Sequence, residues 1–595
     1  MAWCRLICAL PPPAAGQRRR EGLTVPGDHA PAELLAAMSS LLLSVRDVPL
    51  DLEIDGVDEA RTIKSDVVDQ LSDYILPRLV QLDAPLLAVV GGSTGAGKST
   101  LVNSIVGERV TESGVLRPTT RSPVLVHHPD DAEWFQPDRI LPDLERSTEA
   151  GANPYALRLA SSTGIPKGLA ILDAPDVDSI DKGNRDLATQ LLAAADLWLF
   201  VTSAARYADQ VPWDYLRHAA ERSTSVAVVL DRTSDEALVE VRGHLARMMT
   251  SRGLSDSPLF TVPESGLDAD GLLPRSAVAP MVGWLSELAA DPKARHMVVH
   301  RTLDGAVRHL VMRTHDLADA METQVDVAAL LHGEADDSYR AALDEFSRQS
   351  ADGTLLRGEV LASWQEFVGT GELLSSVEEK VTRIRDRFVG GMTGKRTRST
   401  EVVDAIETAA RMLLTEHAEA TAQKVSRVWG SSVPGRRLLD AGTGLDRASG
   451  DVRVKAERIV HEWRQAVVEL VRVEGADKRM TARFLAFGVN GIAVALMISM
   501  FARDAEATVA GGTATLGRRL LDAIFGEAVV DQLIGRAHDD LVARAGSLLE
   551  TELARFHDLV DSPDSLRAHQ AALRASARRA EYSRHADFLN GETTP

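Results

Sequence analysis

Apolar residues in the first half of the chain fall into short uninterrupted runs that alternate with helical segments. The runs are PLLAVV at 85–90, GLAILD at 168–173, DLWLFVTS at 196–203, SVAVVLDR at 225–232 and PLFTVPES at 258–265. Such runs, bounded by turn residues, are typical of buried strands, and strands that alternate with helices form βαβ units. The pattern from Leu86 to about Leu285 therefore predicts an α/β domain with a mostly parallel sheet and helices on both faces.

Beyond residue 285 the apolar residues follow helical spacing. The stripes comprise Leu303, Val307, Leu310, Leu317 and Met321, then Leu356, Val360, Trp364 and Phe367, then Ile534, Leu541 and Leu548 beside Leu533, Val542 and Leu549. Ahead of the sheet, a stripe of Val67, Leu71, Ile75 and Leu79 predicts a helix over 58–80. Long amphipathic helices with few turn signals predict an elongated all-α bundle or stalk after the α/β domain.

Composition and charge exclude several classes of protein. The 595 residues suffice for several domains, and the formal net charge of −20 argues against a nucleic-acid partner. Both cysteines, Cys4 and Cys8, lie in the first ten residues, which suits a cytoplasmic protein without a disulfide framework. The first apolar stretch precedes its arginines, the reverse of a signal peptide. We therefore expect residues 1–45 to be disordered or a mis-started N-terminus, with Met38 as an alternative beginning.

One connection between a predicted strand and a predicted helix carries a phosphate-binding motif. Residues 92–99 read GSTGAGKS, which fits G-x-x-x-x-G-K-[ST] at each fixed position. Glycines let backbone N–H groups turn towards phosphate oxygens, and the following helix N-terminus adds partial positive charge. We expect Lys98 at the β- and γ-phosphates and the Ser99 hydroxyl on Mg²⁺. The predicted nucleotide-binding residues of this loop are Gly92, Ser93, Thr94, Gly95, Ala96, Gly97, Lys98, Ser99 and Thr100.

An acidic residue ends the second apolar run. In P-loop folds, a carboxylate such as that of Asp173 at the carboxyl end of a strand holds Mg²⁺ through water. The tetrapeptide DAPD at 173–176 resembles the D-x-P-G of GTPase switch regions. Asp176 stands where glycine would let a backbone N–H approach the γ-phosphate, and it adds a side chain and a negative charge there.

A threonine pair lies between these two motifs, in the segment GVLRPTTRSPVLVHHP at 114–129. A mobile loop of this kind could bring a threonine hydroxyl to Mg²⁺ and its backbone to the γ-phosphate. Thr119 and Thr120 are both candidates and Thr120 is preferred, while a plain turn before a strand is the alternative. The predicted catalytic residues are thus Lys98, Thr120 and Asp173, and the predicted metal ligands are Ser99, Thr120 and Asp173.

The residues after SVAVVL bear on which base is bound. GTPases generally carry N/T-K-x-D there, whereas this chain reads LDRTSD at 230–235. Asp231 can stand for the Asn and Arg232 for the Lys, whose aliphatic stem would cover the purine face. The specificity aspartate is then Ser234, unless a shift brings in Asp235. A preference for guanine therefore rests on resemblance to a family and not on this motif.

The order GGSTGAGKST, RPTT, LDAPD and LDRTSD, followed by a long helical tail, resembles the dynamin-like large GTPases, in particular their bacterial branch, over roughly residues 80–290. The resemblance implies a GTPase head that binds GTP and Mg²⁺, a helical neck and stalk, and a membrane-contacting tip. It also implies a homo-oligomer formed through head and stalk, whose assembly stimulates hydrolysis. Thr94-Gly95 stands where eukaryotic dynamins carry Gln-Ser, so the water-positioning device is absent or differently organised.

Two further segments interrupt the helical part. Residues 484–502, FLAFGVNGIAVALMISMFA, carry no charge and nearly reach the ~20 residues that cross a bilayer. A membrane-inserting tip, a buried core helix and a true span all fit; the resemblance favours the tip, then the buried helix. The basic stretch KVTRIRDRFVGGMTGKRTR at 380–398 is either a solvated helix end or a contact with anionic lipid or a partner.

These observations predict a domain order. It runs as an N-terminus at 1–45, a neck helix at 46–82, the P-loop GTPase domain at 83–290, a helical stalk at 291–483, a hydrophobic membrane-tip candidate at 484–530, a returning stalk helix at 531–585 and a tail at 586–595. We expect a GTPase that couples its nucleotide cycle to self-assembly and membrane association or remodelling, peripheral or tip-inserted at the inner face of the cell membrane. The alternatives are a nucleotide-gated membrane scaffold with negligible turnover and an ATP-driven P-loop ATPase.

Overall fold

The computed structural model describes residues 30–112, 122–136, 140–141, 144–147, 156–179, 181–221, 224–234, 236–368, 393–474, 481–504 and 509–591. The chain divides into two compact units. The first contains Met1–Leu50, Gly56–Glu322 and Arg567–Pro595, and the second contains Asp51–Asp55 and Thr323–Leu566. The predicted α/β domain lies in the first unit, and the regular structure described in the second unit is helical.

Eight strands form one sheet within the described residues of the first unit. They are β1 (Leu86–Gly92), β2 (Val124–His127), β3 (Arg146–Ser147), β4 (Leu157–Ser161), β5 (Leu169–Asp173), β6 (Leu197–Ser203), β7 (Ser225–Thr233) and β8 (Leu259–Pro263). Their order across the sheet is β3-β4-β2-β5-β1-β6-β7-β8. Every neighbouring pair is parallel except β2 with β5. The prediction of an α/β fold with a mostly parallel sheet is confirmed.

The central strands are buried on both faces. Alternate residues of β1 enter two different cores, with Leu87 and Val89 in one and Leu86, Ala88 and Val90 in the other. Helices cover both faces, and such strands show continuous apolar runs in the sequence. Strand β4, which lies between the short edge strand β3 and β2, is buried only at its first residue and partly or fully exposed along the rest. It therefore lacks a continuous apolar run, and the sequence pattern missed it together with β3.

The helices of the first unit begin before the sheet. They are α1 (Ala30–Arg46), α2 (Val57–Gln70), α3 (Leu76–Val80), α4 (Lys98–Val106), α5 (Lys182–Ala193), α6 (Gln210–Glu221), α7 (Leu238–Ser251) and α8 (Arg275–Ala290). A longer helix, α9 (Pro292–Gln349), belongs to the first unit up to Glu322 and to the second from Thr323. The predicted stripe from Leu303 to Met321 is buried along this helix.

Helix α1 corrects the expectation of a disordered N-terminus for the residues it covers. Leu34, Met38 and Leu41 on this helix are completely buried. Burying side chains of this size stabilises a fold by about 1.5–3 kcal/mol each, which is comparable to the conformational entropy lost when these residues are ordered. The helix begins eight residues before Met38, and Leu34 from that first part belongs to the buried stripe.

The helix predicted over 58–80 is present but has an irregular turn. The stripe of Val67, Leu71, Ile75 and Leu79 is buried, as predicted. Residues Leu71–Ile75 adopt a π-helical turn between α2 and α3. Pro77 follows directly, and because proline lacks a backbone N–H, it removes one hydrogen bond of a regular α-helix at this point.

Helices build the second unit around a large hydrophobic core. They are the second part of α9, α10 (Glu359–Val368), α11 (Thr393–Trp429), α12 (Val433–Ala441), α13 (Val452–Glu474), α14 (Thr481–Phe501), α15 (Val509–Phe525), α16 (Glu527–His557) and the first residues of α17 (Pro563–Gly591). Tryptophans at 364, 429 and 463 are nearly completely buried in this core. The prediction of a helical bundle after the α/β domain is confirmed.

The part of the hydrophobic segment 484–502 from Ile492 to Phe501 lies inside that core, which corrects the preference for a membrane-inserting tip over those residues. Helix α14 is interrupted at Gly488 (φ 71°), and the apolar residues from Ile492 to Phe501 are at most 1% exposed. The Phe501 ring lies 5.7 Å from the Trp463 ring. Of the three interpretations, the buried core helix describes these residues. Within the residues that the structure describes, no helix combines the length and the hydropathy of a membrane span.

Two other predicted segments differ from the structure or lie partly outside it. The returning stalk helix at 531–585 is two helices, because α16 ends at His557 and α17 starts afresh with Pro563 at its first position. Proline suits that position because its missing N–H would have no partner there. The basic stretch at 380–398 lies outside the described residues up to 392, and its remainder begins α11.

Candidate functional site

The P-loop lies where β1 ends and α4 begins, and its glycines are required by the backbone. Gly92, Gly95 and Gly97 have φ values of 146°, 76° and 92°, in the range that favours glycine. A Cβ on Gly92 would lie 2.0 Å from the Val201 carbonyl oxygen. The N-cap of helix α4 is Gly97, which has no side chain to cap the first N–H groups of the helix. This is the backbone arrangement that binds phosphate.

The Lys98 side chain folds back over the start of the loop. Its Nζ donates hydrogen bonds to the carbonyl oxygens of Gly92, at 2.9 Å, and Ser93, at 3.1 Å. It also forms an ion pair with the Asp176 carboxylate. The side chain is 4% exposed, so the ammonium is held by the protein and aimed along the loop. Asp176, the residue in the glycine position of D-x-P-G, thus pairs with the lysine that is expected to bind phosphate.

Strand pairing brings Asp173 beside the P-loop. β5 runs parallel to β1, with Asp173 opposite Val90. The Asp173 carboxylate is completely buried, and neither oxygen accepts a hydrogen bond of good geometry. Burial raises its pKa to about 6, although the hydroxyls of Ser99 and Thr111 and the charge of Lys98 act in the opposite direction. A buried carboxylate beside hydroxyl oxygens is a set of hard oxygen ligands, and it fits Mg²⁺.

Thr111 is a hydroxyl residue that the sequence analysis missed. Its Oγ1 donates to the Ser99 carbonyl oxygen at 3.3 Å, and its side chain is near enough to Asp173 to lower the pKa of that carboxyl. Asn103 holds this segment, because its Oδ1 accepts from the N–H groups of Val110 and Thr111 at 2.9 and 2.8 Å. The predicted switch residues Thr119 and Thr120 lie outside the described residues, so their roles stay predictions.

Asp178 and Arg206 are two more residues that the motifs did not indicate. Asp178 Oδ1 accepts from the backbone N–H of Thr94 at 2.6 Å and from the Thr94 hydroxyl at 2.7 Å. Arg206, in the turn after β6, lies 2.8 Å from Asp178 Oδ2 and donates to the Thr94 carbonyl oxygen at 2.9 Å. Burial would raise the pKa of Asp178, but the Thr94 hydrogen bonds and Arg206 outweigh it and lower the pKa.

The predicted base-binding residues lie at the end of β7. Asp231 is 4% exposed, and burial raises its pKa to about 6 against the opposing effect of Arg232. Its Oδ2 lies against Gly97, where a Cβ would be only 2.2 Å away. Arg232 has a left-handed backbone (φ 54°) and a side chain that is 57% exposed. Ser234 is exposed, and Asp235 lies outside the described residues. Asp231 therefore touches the P-loop, which suits the Asn position of the GTPase motif.

Known proteins that are similar to this chain include a GTPase, in agreement with the motifs. No family model matches the chain. A probable transmembrane GTPase of the FZO-like type, from Arabidopsis thaliana chloroplasts, is 24% identical over 226 residues, which cover 37% of this chain and 23% of that protein. The match thus spans about a quarter of the relative's length.

Two solved structures show low similarity to this chain. An oligomerised bacterial dynamin pair, described as sensing and tethering membranes, matches 95% of this chain and 96% of its own at 9% identity, with a TM-score of 0.41. Toc33 from Arabidopsis thaliana, in complex with Mg²⁺ and GMPPNP, matches 42% of this chain and 96% of its own at 15% identity, with a TM-score of 0.24. Because both TM-scores are low, the fold is established by the strands and helices described above. The resemblance to bacterial dynamin-like GTPases rests on the motifs, and the FZO-like relative, which is named a GTPase, agrees with them.

Proposed function

We propose that this protein binds GTP with Mg²⁺ and hydrolyses it. The observation that carries the proposal is the convergence of Lys98, Ser99 and Asp173 at one end of the sheet, around a glycine loop with the required backbone. The FZO-like relative supports guanine as the base, since that protein is named a GTPase. Asp231 and Arg232 are the proposed base-side residues.

Ser99 and Asp173 would hold the metal ion, with Thr120 proposed as a further ligand. When bound, Mg²⁺ would neutralise charge on the β- and γ-phosphates. The chain itself supplies positioning: the P-loop N–H groups and Lys98 hold the phosphates, and the buried surroundings of Asp173 strengthen each electrostatic contact. Catalysis of this type requires orientation and charge stabilisation and no covalent intermediate.

We propose further that the nucleotide cycle controls self-assembly and membrane association at the cytoplasmic face of a membrane. Support comes from the FZO-like relative, which is named a transmembrane GTPase. Because Ile492–Phe501 are buried, lipid contact is not assigned to those residues. The basic stretch at 380–398, with seven basic residues and one acidic, is the alternative place for contact with anionic lipid.

Hydrolysis of γ-labelled GTP and ATP tests the enzymatic proposal. We expect single-turnover hydrolysis of GTP well above the buffer rate, faster than that of ATP, and accelerated by anionic vesicles relative to neutral ones. Faster hydrolysis of ATP than of GTP would overturn the base assignment and favour an ATP-driven enzyme. Equal pelleting of the protein with anionic vesicles, neutral vesicles and no vesicles would remove the membrane part of the proposal.

Two features favour a nucleotide-gated scaffold as the second candidate. Asp176 holds the Lys98 ammonium, and Thr94-Gly95 replaces the Gln-Ser of eukaryotic dynamins. Both features would slow turnover without preventing binding. A rate near background with and without vesicles, from protein that binds GTP, would establish the scaffold.

A further inference from the structure

Two cations line the same edge of the P-loop. Lys98 Nζ contacts the carbonyl oxygens of Gly92 and Ser93, and Arg206 Nη1 contacts that of Thr94, at 2.9–3.1 Å. The three carbonyl groups are consecutive in the chain. Because Lys98 is the residue expected at the β- and γ-phosphates, its position marks the end of the loop where the terminal phosphate binds. Arg206 therefore lies at that end as well.

The anionic partner of Arg206 is itself bound to the loop. Asp178 accepts the N–H and the hydroxyl of Thr94 with one oxygen and pairs with Arg206 Nη2 through the other. A carboxylate is thus bridged between a P-loop N–H and a guanidinium, an arrangement that also suits a phosphoryl oxygen. Asp176 likewise pairs with the other cation of this edge, Lys98. Each carboxylate belongs to the segment after β5 that resembles a GTPase switch.

We propose that Arg206 is a catalytic arginine built into this chain, and that Asp178 restrains it until the switch segment moves. The inference rests on the proposed GTPase function. In hydrolysis, the oxygen of water bonds to the γ-phosphorus while the bond from that phosphorus to the bridging oxygen breaks. The bonding pair stays with GDP, and the proton of water ends on the released phosphate. Arg206 neutralises the negative charge that develops on the bridging and γ-phosphoryl oxygens.

The location of Arg206 suits this role. Its side chain is 37% exposed, and its Nε pairs with Asp209 at 2.8 Å, so the guanidinium is oriented but not enclosed. The turn that carries Arg206 begins at the end of β6, the strand that pairs with β1. The backbone N–H of Arg206 donates to the Ser203 carbonyl oxygen. An arginine supplied within the chain would add charge stabilisation to a loop in which Thr94-Gly95 stands where eukaryotic dynamins carry Gln-Ser.

The first test compares hydrolysis with binding in Arg206→Ala, Arg206→Lys and the control Arg217→Ala. Arg217 is an exposed arginine of the same unit that pairs with Asp214. We expect Arg206→Ala to lower single-turnover GTP hydrolysis by about 10³-fold. The affinity for a non-hydrolysable GTP analogue should change by no more than about threefold. Arg206→Lys should be intermediate, because lysine keeps the charge but not the two-pronged geometry. Arg217→Ala should match the wild type.

Trapping with GDP and aluminium fluoride adds a readout of the transition state. We expect wild-type protein to form the complex and Arg206→Ala to fail to form it. Hydrolysis and trapping at wild-type levels in Arg206→Ala would overturn the inference, while the GTPase proposal would stand. Failure of the wild type to hydrolyse GTP would instead overturn the proposed function.

A double-mutant cycle with Asp178→Ala separates catalysis from support of the loop. If Arg206 acts on phosphate, Arg206→Ala remains slow in the Asp178→Ala background. If Arg206 acts only by holding Asp178 against Thr94, the double variant is no slower than Asp178→Ala alone, and the inference fails. The cycle also covers the case in which Arg206→Ala destabilises the loop, because Asp178→Ala breaks the same ion pair and keeps Arg206.

Discussion

The phosphate end and the base end of the proposed nucleotide site are built from different kinds of groups. At the phosphate end, three glycines with positive φ set the backbone, and the flanking strand and helix determine where Lys98 and Ser99 lie. At the base end, the described candidates are single side chains, of which Asp231 contacts the P-loop and Arg232 extends outward. Phosphate recognition thus depends on backbone geometry, which tolerates few sequences, whereas base recognition depends on side chains that can be exchanged.

Gly97 joins the two ends, and its replacement should have the largest effect on both. An alanine Cβ there would lie 2.2 Å from Asp231 Oδ2, on a backbone with φ 92°. The left-handed conformation alone costs about 1–2 kcal/mol, and the clash adds to it. We expect Gly97→Ala to abolish nucleotide binding and to lower the free energy of unfolding, measured by urea denaturation.

Gly107, at the other end of the same helix, is the matched control for Gly97. It has φ 81°, and a Cβ added there would have nothing within 4 Å of it. Gly107→Ala should cost only the conformational term of about 1–2 kcal/mol and should leave nucleotide binding unchanged. Equal losses in the two variants would show that contact with Asp231 contributes nothing at Gly97.

The contrast between backbone geometry and single side chains also explains which parts of the site could be predicted from the sequence. Lys98, Ser99 and Asp173 were predictable, because the P-loop and a strand end constrain residues at fixed spacings. Asp178 and Arg206 were not, since they meet Thr94 across 84 and 112 residues of chain and follow no spacing rule. The prediction of a membrane-inserting tip was wrong for Ile492–Phe501 for another reason. An uncharged apolar run suits a protein core as well as lipid, and only packing distinguishes the two.

The raised pKa of Asp173 makes the phosphate end sensitive to pH. The folded protein binds this proton more tightly than the unfolded chain, because the pKa rises from 3.8 to about 6. Above pH 6 the buried charged carboxylate therefore lowers the free energy of unfolding, by at most about 3 kcal/mol. As the pH falls from 6 towards 4 the carboxylate is protonated, and the free energy of unfolding rises again. Metal binding needs the carboxylate, so the affinity for Mg²⁺ with GTP should fall about tenfold per pH unit below pH 6.

Asp173→Asn should separate these two effects. Without nucleotide, at pH 7.5, we expect a higher free energy of unfolding than in the wild type, since the cost of the buried charge is gone. Dependence of GTP affinity on Mg²⁺ should be lost. Thermal unfolding of both proteins from pH 5 to 8 provides the measurement. A variant that is less stable than the wild type across that range would contradict the burial argument.

Asp231→Asn should have a smaller effect, and it tests what Asp231 contributes to nucleotide binding at the base end. The variant replaces a buried carboxyl, whose pKa is about 6, by the amide that GTPases usually carry at this position. Removing a negative charge next to the P-loop should strengthen GTP binding at pH 7.5 by a few-fold, about 1 kcal/mol. Competition between GTP and ATP for a fluorescent analogue measures it. Weaker binding of both nucleotides would indicate that Asp231 itself makes a favourable contact.

The most direct test of the nucleotide site is calorimetric titration of GTPγS with Mg²⁺ into the wild type and Lys98→Ala. Lys167→Ala is the control, because Lys167 is 66% exposed and forms a long pair with Asp130, at 3.8 Å. Loss of a charge-assisted contact to phosphate, with Asp176 left unpaired beside it, should weaken binding by about 100-fold or more, while the control binds like the wild type. Wild-type affinity for both GTPγS and ATPγS in Lys98→Ala would contradict the assignment of this loop as the nucleotide site.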